Sequence, residues 1–174
     1  DNADKWRMWV NASDDDLHFS NYTSGTAWTD ILTLQDGGNV GIGTASPAGQ
    51  LHVTGSEVAD QIVIENTNAG ATACPDLILW RNSGSPAAND YIGEIQFRGE
   101  DSAGNTQNYA SITGRAEVVT SGSETGVLIF SNAHAGDGTN TESMRIDYTG
   151  NVGIGTTSPD GFLHLSYTNA TDVR

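Results

Sequence analysis

Apolar and polar residues alternate along most of the chain, whereas the spacing of an amphipathic helix is scarce. Strict alternation predicts half-buried β-strands, because successive side chains of a strand point to opposite faces. Clusters of Gly, Ser, Asn, Asp and Thr predict turns between them, and a short helix would fit only over 56–64. The sequence therefore predicts an all-β fold of antiparallel meander modules. The predicted strands cover 6–10, 16–21, 30–35, 50–55, 61–66, 76–82, 92–100, 108–119, 126–132, 143–148 and 162–167.

One sixteen-residue stretch of the chain occurs twice with few differences. GNVGIGTASPAGQLHV begins at Gly38, and GNVGIGTTSPDGFLHL begins at Gly150. The tripeptide FSN precedes both copies, so the repeat is longer than its glycine-rich part. This predicts the C-terminal part of one module over 1–54 and a fuller module over 55–166. Residues 167–174 are then the start of a following segment or a processed tail.

The glycines of this stretch have a mechanical interpretation, in which they allow another strand or chain to pack closely. In an extended strand Val40 and Ile42 share one face, and the two glycines that alternate with them leave the other face bare. Bare backbone weakens a strand unless another strand or chain has to approach closely. The predicted packing residues are Gly38, Val40, Gly41, Ile42, Gly43, Pro47, Leu51 and Val53 in the first copy, and Gly150, Val152, Gly153, Ile154, Gly155, Pro159, Leu163 and Leu165 in the second.

Phosphate binding is the alternative interpretation of a glycine-rich run. A P-loop ends in Gly-Lys-Ser/Thr, and a dinucleotide fingerprint has the spacing G-x-G-x-x-G before a helix. Neither copy has a lysine nearby, the spacing here is G-x-x-G-x-G, and Ser-Pro follows in place of a helix. The mechanical interpretation is therefore favoured.

The two copies resemble the G-N-V-G-I-G-T-x-x-P-x-x-x-L-x-V signature of bacteriophage tail-fibre proteins, which often precedes an endosialidase-type intramolecular chaperone. The segments 91–117 and 126–147 also look like fibre-shaft modules, so the resemblance covers most of 16–166. It implies an elongated, intertwined parallel homotrimer that forms the shaft of an extracellular virion tail fibre and supports host attachment. The implied partners are two identical chains, further fibre or baseplate proteins, and a host cell-surface glycan.

Composition fits a chain that needs partners. Only 36% of the residues are hydrophobic, which is below the usual globular share, so thin sheets must find something to pack against. The 22 acidic residues outnumber 7 basic ones, for a net charge of −15. Nucleic-acid binding requires a basic surface, and this charge argues against it. No apolar run approaches the roughly eighteen residues of a membrane span, so no membrane insertion is expected.

The histidines and the acidic runs contain the candidate metal ligands. His52 and His164 are equivalent in the two copies and would form a ring on a three-fold axis, but alternation predicts that they face solvent, as it does for His18. Clustered carboxylates attract Ca²⁺, yet the acidic run 14–16 and the loop with Asp137, Asn140 and Glu142 fit no twelve-residue Ca²⁺ loop. Both are interpreted as solvated loops, and neither a metal nor another cofactor is expected.

Catalysis has weak support in the sequence. Glu94, Glu100 and Asp101 could form a carboxylate pair for glycan cleavage, but nothing marks a cleft, and no serine lies in a nucleophile elbow. Trp80 and Cys74 are expected to be buried. The preferred function is a structural shaft segment. The alternatives are a trimeric adhesin whose loops bind cell-surface glycans and, with less support, a glycan depolymerase.

Overall fold

The computed structural model describes residues 5–23, 27–56, 61–72, 74–134 and 139–166, and within them it contains only strands, turns and irregular segments. The chain forms two compact units, Asp1–Asp76 and Leu77–Arg174, and each contains one sheet. No helix in the described part of the chain is long and apolar enough to cross a membrane. The predicted tail 167–174, Asp137, and residues 57–60 of the possible helix lie outside the described residues.

The first unit contains a five-stranded sheet in the order β1-β2-β3-β4-β5. Neighbouring strands from β1 to β4 pair antiparallel, and β4 and β5 pair parallel. The strands are β1 (Lys5–Val10), β2 (Leu17–Thr23), β3 (Ala27–Leu34), β4 (Val40–Ile42) and β5 (Leu51–Val53).

The second unit contains a six-stranded sheet in the order β11-β10-β9-β8-β7-β6. The pairs from β6 to β10 are antiparallel, and β10 and β11 are parallel. The strands are β6 (Tyr91–Glu100), β7 (Thr106–Val118), β8 (Thr125–Ala133), β9 (Asn140–Ile146), β10 (Val152–Ile154) and β11 (Leu163–Leu165). The two sheets end alike because the repeated stretch forms their last two strands.

The parallel pairs correct the predicted antiparallel meander. The Ser-Pro segment within each signature carries the chain back along the strand, so the next strand starts at the same end. In the first copy this return is held by the bond from Val40 N to Gln50 O, 2.8 Å, and by the bond from Thr54 N to Ile42 O, 2.9 Å. Both sheets are therefore mixed.

Two predicted strands, 61–66 and 76–82, are wrong. Both segments are apolar, but no strand of the described chain pairs with them. Ile62, Val63 and Ile64 are exposed, and Trp80, expected in the core, is 78% exposed. An apolar run alone does not make a strand, because the backbone also needs a ladder partner.

A tight turn leads into each copy of the signature. The N–H of Gly150 donates to the carbonyl of Asp147 at 3.0 Å, and the N–H of Gly38 donates to that of Gln35 at 2.9 Å. Both glycines have φ of 86°. This left-handed backbone conformation is unfavourable for residues that carry a Cβ atom. The first glycine of the signature therefore closes the hairpin into β4 or β10.

Strand register sorts each sheet into an apolar face and a polar face. Directly paired residues form continuous apolar rows, because the same parity is apolar in every strand. In the first sheet the rows are Met8, Phe19, Leu32, Ile42, Val53 and Val10, Leu17, Leu34, Val40, Leu51. In the second they are Ile95, Ile112, Phe130, Met144, Ile154, Leu165 and Gly93, Gly114, Leu128, Ile146, Val152, Leu163.

Burial is the reverse of what a globular domain shows. No residue of the apolar rows is buried, and Leu165, at the end of one row, is 65% exposed. Ser20 and Thr33, on the polar face of the first sheet, are fully buried. The buried large apolar residues of the described chain are Val127 and Ile129, and both pair with polar-face residues. Each apolar face therefore remains largely uncovered in the single chain.

Candidate functional site

The two uncovered apolar faces are the candidate functional surfaces. In the second sheet β10 places Ile154 between Met144 of β9 and Leu165 of β11. In the first sheet Ile42 lies in the same way between Leu32 and Val53. Register thus brings the predicted apolar packing residues of each copy onto one face. Their contact with another chain stays a prediction.

The second unit shows how such a face accepts an apolar segment. Gly93 and Gly114 pair directly across β6 and β7, and their lack of side chains leaves a shallow groove. Leu77 and Leu79 lie in that groove, and a Cβ atom built on Gly93 would lie 2.7 Å from the Leu79 Cβ. An extended apolar stretch of this chain therefore already fits on part of the face.

On the opposite face, the signature glycines meet backbone of their own chain. A Cβ atom on Gly153 would lie 2.7 Å from the Thr156 carbonyl oxygen, and one on Gly155 would lie 2.5 Å from the Ser166 carbonyl oxygen. Gly155 also has φ of 70°. The first copy repeats both contacts at Gly41 and Gly43. Another strand or chain was expected as the close neighbour, and within this chain the neighbour is the corner that follows the strand.

The corner itself is tied by side chains. Thr44 Oγ1 accepts the N–H of Ser46 at 3.1 Å, and Pro47 is buried. His52 Nδ1 accepts the N–H of Ala48 at 3.2 Å. His52 and His164 lie on the polar face as alternation predicted, but both are half-buried rather than solvent-facing.

The polar face of the first unit contains a buried cluster that the sequence interpretation missed. His18, expected to face solvent, is 3% exposed. Its ring stacks on Trp9 at 4.8 Å between centroids, and its Nδ1 lies 3.2 Å from both Thr33 Oγ1 and Asp30 Oδ2. Asp16 is 4% exposed, so the acidic run is only partly a solvated loop. The available signal was parity, since Asp16, His18 and Ser20 share one face.

The polar face of the second unit carries a charged cluster and a groove. Arg145 is 7% exposed, and its guanidinium donates to both Glu142 carboxylate oxygens at 2.5 and 2.8 Å. That hydrogen bonding raises the pKa of Arg145. Beside it lies a cavity of about 350 Å³, lined by Tyr91, Glu94, Ser111, Thr113, Arg115, Ile129, Ser131, Asn140 and Glu142.

Among the carboxylates considered for glycan cleavage, Glu94 alone lines this cavity. Asp101 serves a turn: it accepts the N–H groups of Asn105 at 2.9 Å and Ala103 at 2.8 Å. These bonds, that from Asn105 first, lower the pKa of Asp101 to about 2. A general acid needs a pKa near the working pH, so Asp101 is unsuited to that role. Cys74, expected to be buried, is exposed.

Comparison with known proteins adds a fold relationship. No protein-family model matches the chain, and no curated protein matches it. One solved structure that matches is the carboxy-terminal domain of the bacteriophage T5 L-shaped tail fibre, with a TM-score of 0.61 and 10% sequence identity. The match covers 91% of this chain and 75% of that chain. At this identity the likeness establishes the fold.

Proposed function

We propose that the chain is a structural shaft segment of a phage tail fibre and assembles as an intertwined parallel homotrimer. The observation that carries the proposal is the pair of uncovered apolar faces. Burying a Leu or Ile side chain contributes about 1.5–3 kcal/mol, and each sheet has two largely apolar rows in which no residue is buried. Contiguous exposed apolar surface of this kind marks an interaction site.

A second copy of the same chain is the favoured cover. The net charge of −15 leaves the polar surface well solvated, while the apolar rows are uncharged. The chain's own segment Leu77–Leu79 already fits the groove over Gly93 and Gly114. Three copies around one axis are what the resemblance of the repeated signature to tail-fibre proteins implies, and the fold likeness to a tail-fibre domain supports the fibre role. Each chain then covers the apolar faces of its neighbours.

Intertwining accounts for the two apolar segments without a ladder. Residues 61–66 and 77–80 have exposed side chains and no strand partner among the described residues. In the trimer their backbone groups hydrogen-bond to neighbouring chains. The proposed role is mechanical: the rod lies in the virion tail fibre, joins further fibre or baseplate proteins, and supports host attachment without catalysing a reaction.

Amide hydrogen exchange of the assembled protein tests the intertwining. We expect slow exchange at 62–64 and 77–80, because their N–H groups are bonded between chains. The exposed turn residue Gly37, whose N–H has no hydrogen-bond partner among the described residues, serves as the internal control and exchanges quickly. Exchange at 62–64 and 77–80 as fast as in the control turn contradicts intertwining at these segments.

A second candidate function, glycan binding by a trimeric adhesin, is favoured by the groove beside Arg145. Its wall contains Tyr91, which is 63% exposed, and aromatic rings stack on sugars. Two buried donors of the same wall, Arg115 Nε and Asn140 Nδ2, have no hydrogen-bond partner among the described residues. Movement of these two side chains toward the groove would let sugar hydroxyls satisfy both.

A glycan array with the 174-residue chain tests this second candidate. We expect Tyr91→Ala to weaken any binding at least tenfold. Tyr148→Ala should leave it unchanged, since Tyr148 is equally exposed and lies outside the groove. Absence of binding by the wild type, or equal binding by Tyr91→Ala, contradicts the adhesin function and leaves the structural role untouched.

A further inference from the structure

We propose that Asp14, Asp16 and His18 bind a divalent transition-metal ion of the zinc class. A carboxylate oxygen from each aspartate and one imidazole nitrogen of His18 lie within 4.8 Å of one another. The turn between β1 and β2 supplies Asp14 and Asp16, and β2 supplies His18. Asp16 and His18 are buried, while Asp14 is exposed at the opening of the cluster.

The hydrogen bonding of His18 prepares one nitrogen for a metal. Nδ1 lies 3.2 Å from Asp30 Oδ2, and an ionised carboxylate only accepts hydrogen bonds. Nδ1 is therefore the nitrogen that donates to Asp30, and Nε2 is left for another partner. Nε2 is buried and has no partner among the described residues. With Nδ1 engaged, Nε2 is the nitrogen that remains for a ligand shared with Asp14 and Asp16.

The group behind the imidazole matches a recurring feature of metal sites. A metal-binding histidine commonly donates its other ring N–H to a carboxylate, which orients the ring and increases its basicity. Asp30 fills this position here, and it is itself oriented by a 2.6 Å hydrogen bond from Ser20 Oγ. This arrangement lies outside the acidic run and supports the site independently of it.

The two carboxylates are also held in place. Asp16 Oδ1 accepts the N–H of Asp36 at 3.0 Å. Asp14 Oδ1 accepts the N–H of Asp16 at 3.1 Å, and its Oδ2 accepts Asn11 Nδ2 at 2.6 Å. Pre-oriented ligands lose less freedom when an ion binds. The ion would fasten the turn to the polar face of the first sheet.

The ligand set identifies the class of ion. Imidazole nitrogen suits zinc and neighbouring transition metals, whereas Ca²⁺ and Mg²⁺ take oxygen ligands. One nitrogen and two carboxylates are three protein ligands, and water would complete a four-coordinate zinc shell. The proposal does not depend on the proposed shaft function, because the site lies within one chain.

Zinc titration of the untagged 174-residue chain, followed by calorimetry and metal analysis after gel filtration, tests the site. We expect one ion per chain and a higher melting temperature with zinc. Asp14→Asn should weaken zinc binding at least tenfold and abolish the thermal shift. Its fold should survive, because Asp14 is exposed.

Asp15→Asn is the matched control. Asp15 is adjacent and exposed, its φ of 59° suits asparagine, and it is not part of the cluster. We expect this variant to bind zinc as the wild type does. Absence of zinc binding by the wild type, or equal binding by Asp14→Asn and Asp15→Asn, overturns the proposal. Preference for Ca²⁺ over zinc with the same dependence on Asp14 overturns the role given to His18.

Discussion

Gly153 lies so close to Thr156 that a Cβ atom on the glycine would stand 2.7 Å from the threonine carbonyl oxygen. Real Cβ atoms do not approach backbone this closely, so either the glycine or the corner would have to move. The first copy of the signature has the same relationship between Gly41 and Thr44. The central glycine of the signature therefore fixes the corner that returns the chain to a parallel strand.

Substitution of Gly153 should be costly. We expect Gly153→Ala to reduce the free energy of unfolding by about 1–3 kcal/mol, the usual cost of overpacking. Denaturant unfolding measures it. Gly161→Ala is the control, because a Cβ at Gly161 meets nothing within 4 Å. Equal stability of the two variants would count against a corner fixed by Gly153.

The apolar face should tolerate no charge in the assembled protein. Ile154 lies within an apolar row and is 42% exposed in the single chain, so assembly would bury it. We expect Ile154→Asp to abolish the trimer, because a buried unpaired carboxylate is unfavourable. Light scattering after gel filtration measures the mass. Ser121→Asp, in an exposed turn, should assemble normally, and a wild-type mass for Ile154→Asp would show that this face is not an interface.

Acid should loosen the turn at Asp101. Backbone N–H groups lower the pKa of this carboxyl from 3.8 to about 2 in the folded chain. The stabilisation is therefore fully present above pH 3.8 and is lost as the pH falls through about 2. Unfolding midpoints measured from pH 5 to pH 2 should fall less steeply in Asp101→Asn, since an amide does not titrate. An identical pH profile would mean that the turn contributes nothing.

Salt should stabilise the assembly. Three chains together carry three times the charge of −15, and such charges repel across the trimer. The Debye length falls to about 10 Å at 0.1 M salt, so we expect melting temperatures to rise from very low ionic strength to roughly that concentration. NaCl and MgCl₂ at equal ionic strength should act alike. Melting temperatures that are flat or that fall with salt contradict this expectation.

Alternation along the sequence predicted most strands and the sorting of residues between faces, because parity is a local property. It placed Ile42, Ile154 and Leu165 on apolar faces. It could not predict which strands pair, so the parallel return of β5 and β11 was missed. The strand predicted over 61–66 was wrong for the same reason, since an apolar run does not reveal whether a ladder partner exists.

Burial was the harder property to predict from sequence. His18 was expected to face solvent because it is polar and alternates with Leu17 and Phe19. The parity was right, but the polar face is the buried one in the single chain, where Trp9 and Asp30 surround the imidazole. The prediction for Trp80 was wrong in the opposite sense, because burial was expected and the side chain is exposed. The usual rule that apolar residues lie inside holds for this chain only once the proposed neighbouring chains are counted.

The native mass of the purified 174-residue chain tests the central claim most directly. The trimer predicts a single folded species of about 55 kDa, three times the 18.3 kDa of one chain. Native mass spectrometry and light scattering both measure it without labels, and circular dichroism establishes that the species is folded. A monodisperse, folded species of 18.3 kDa would contradict the account, because its apolar faces would then be stable without a cover.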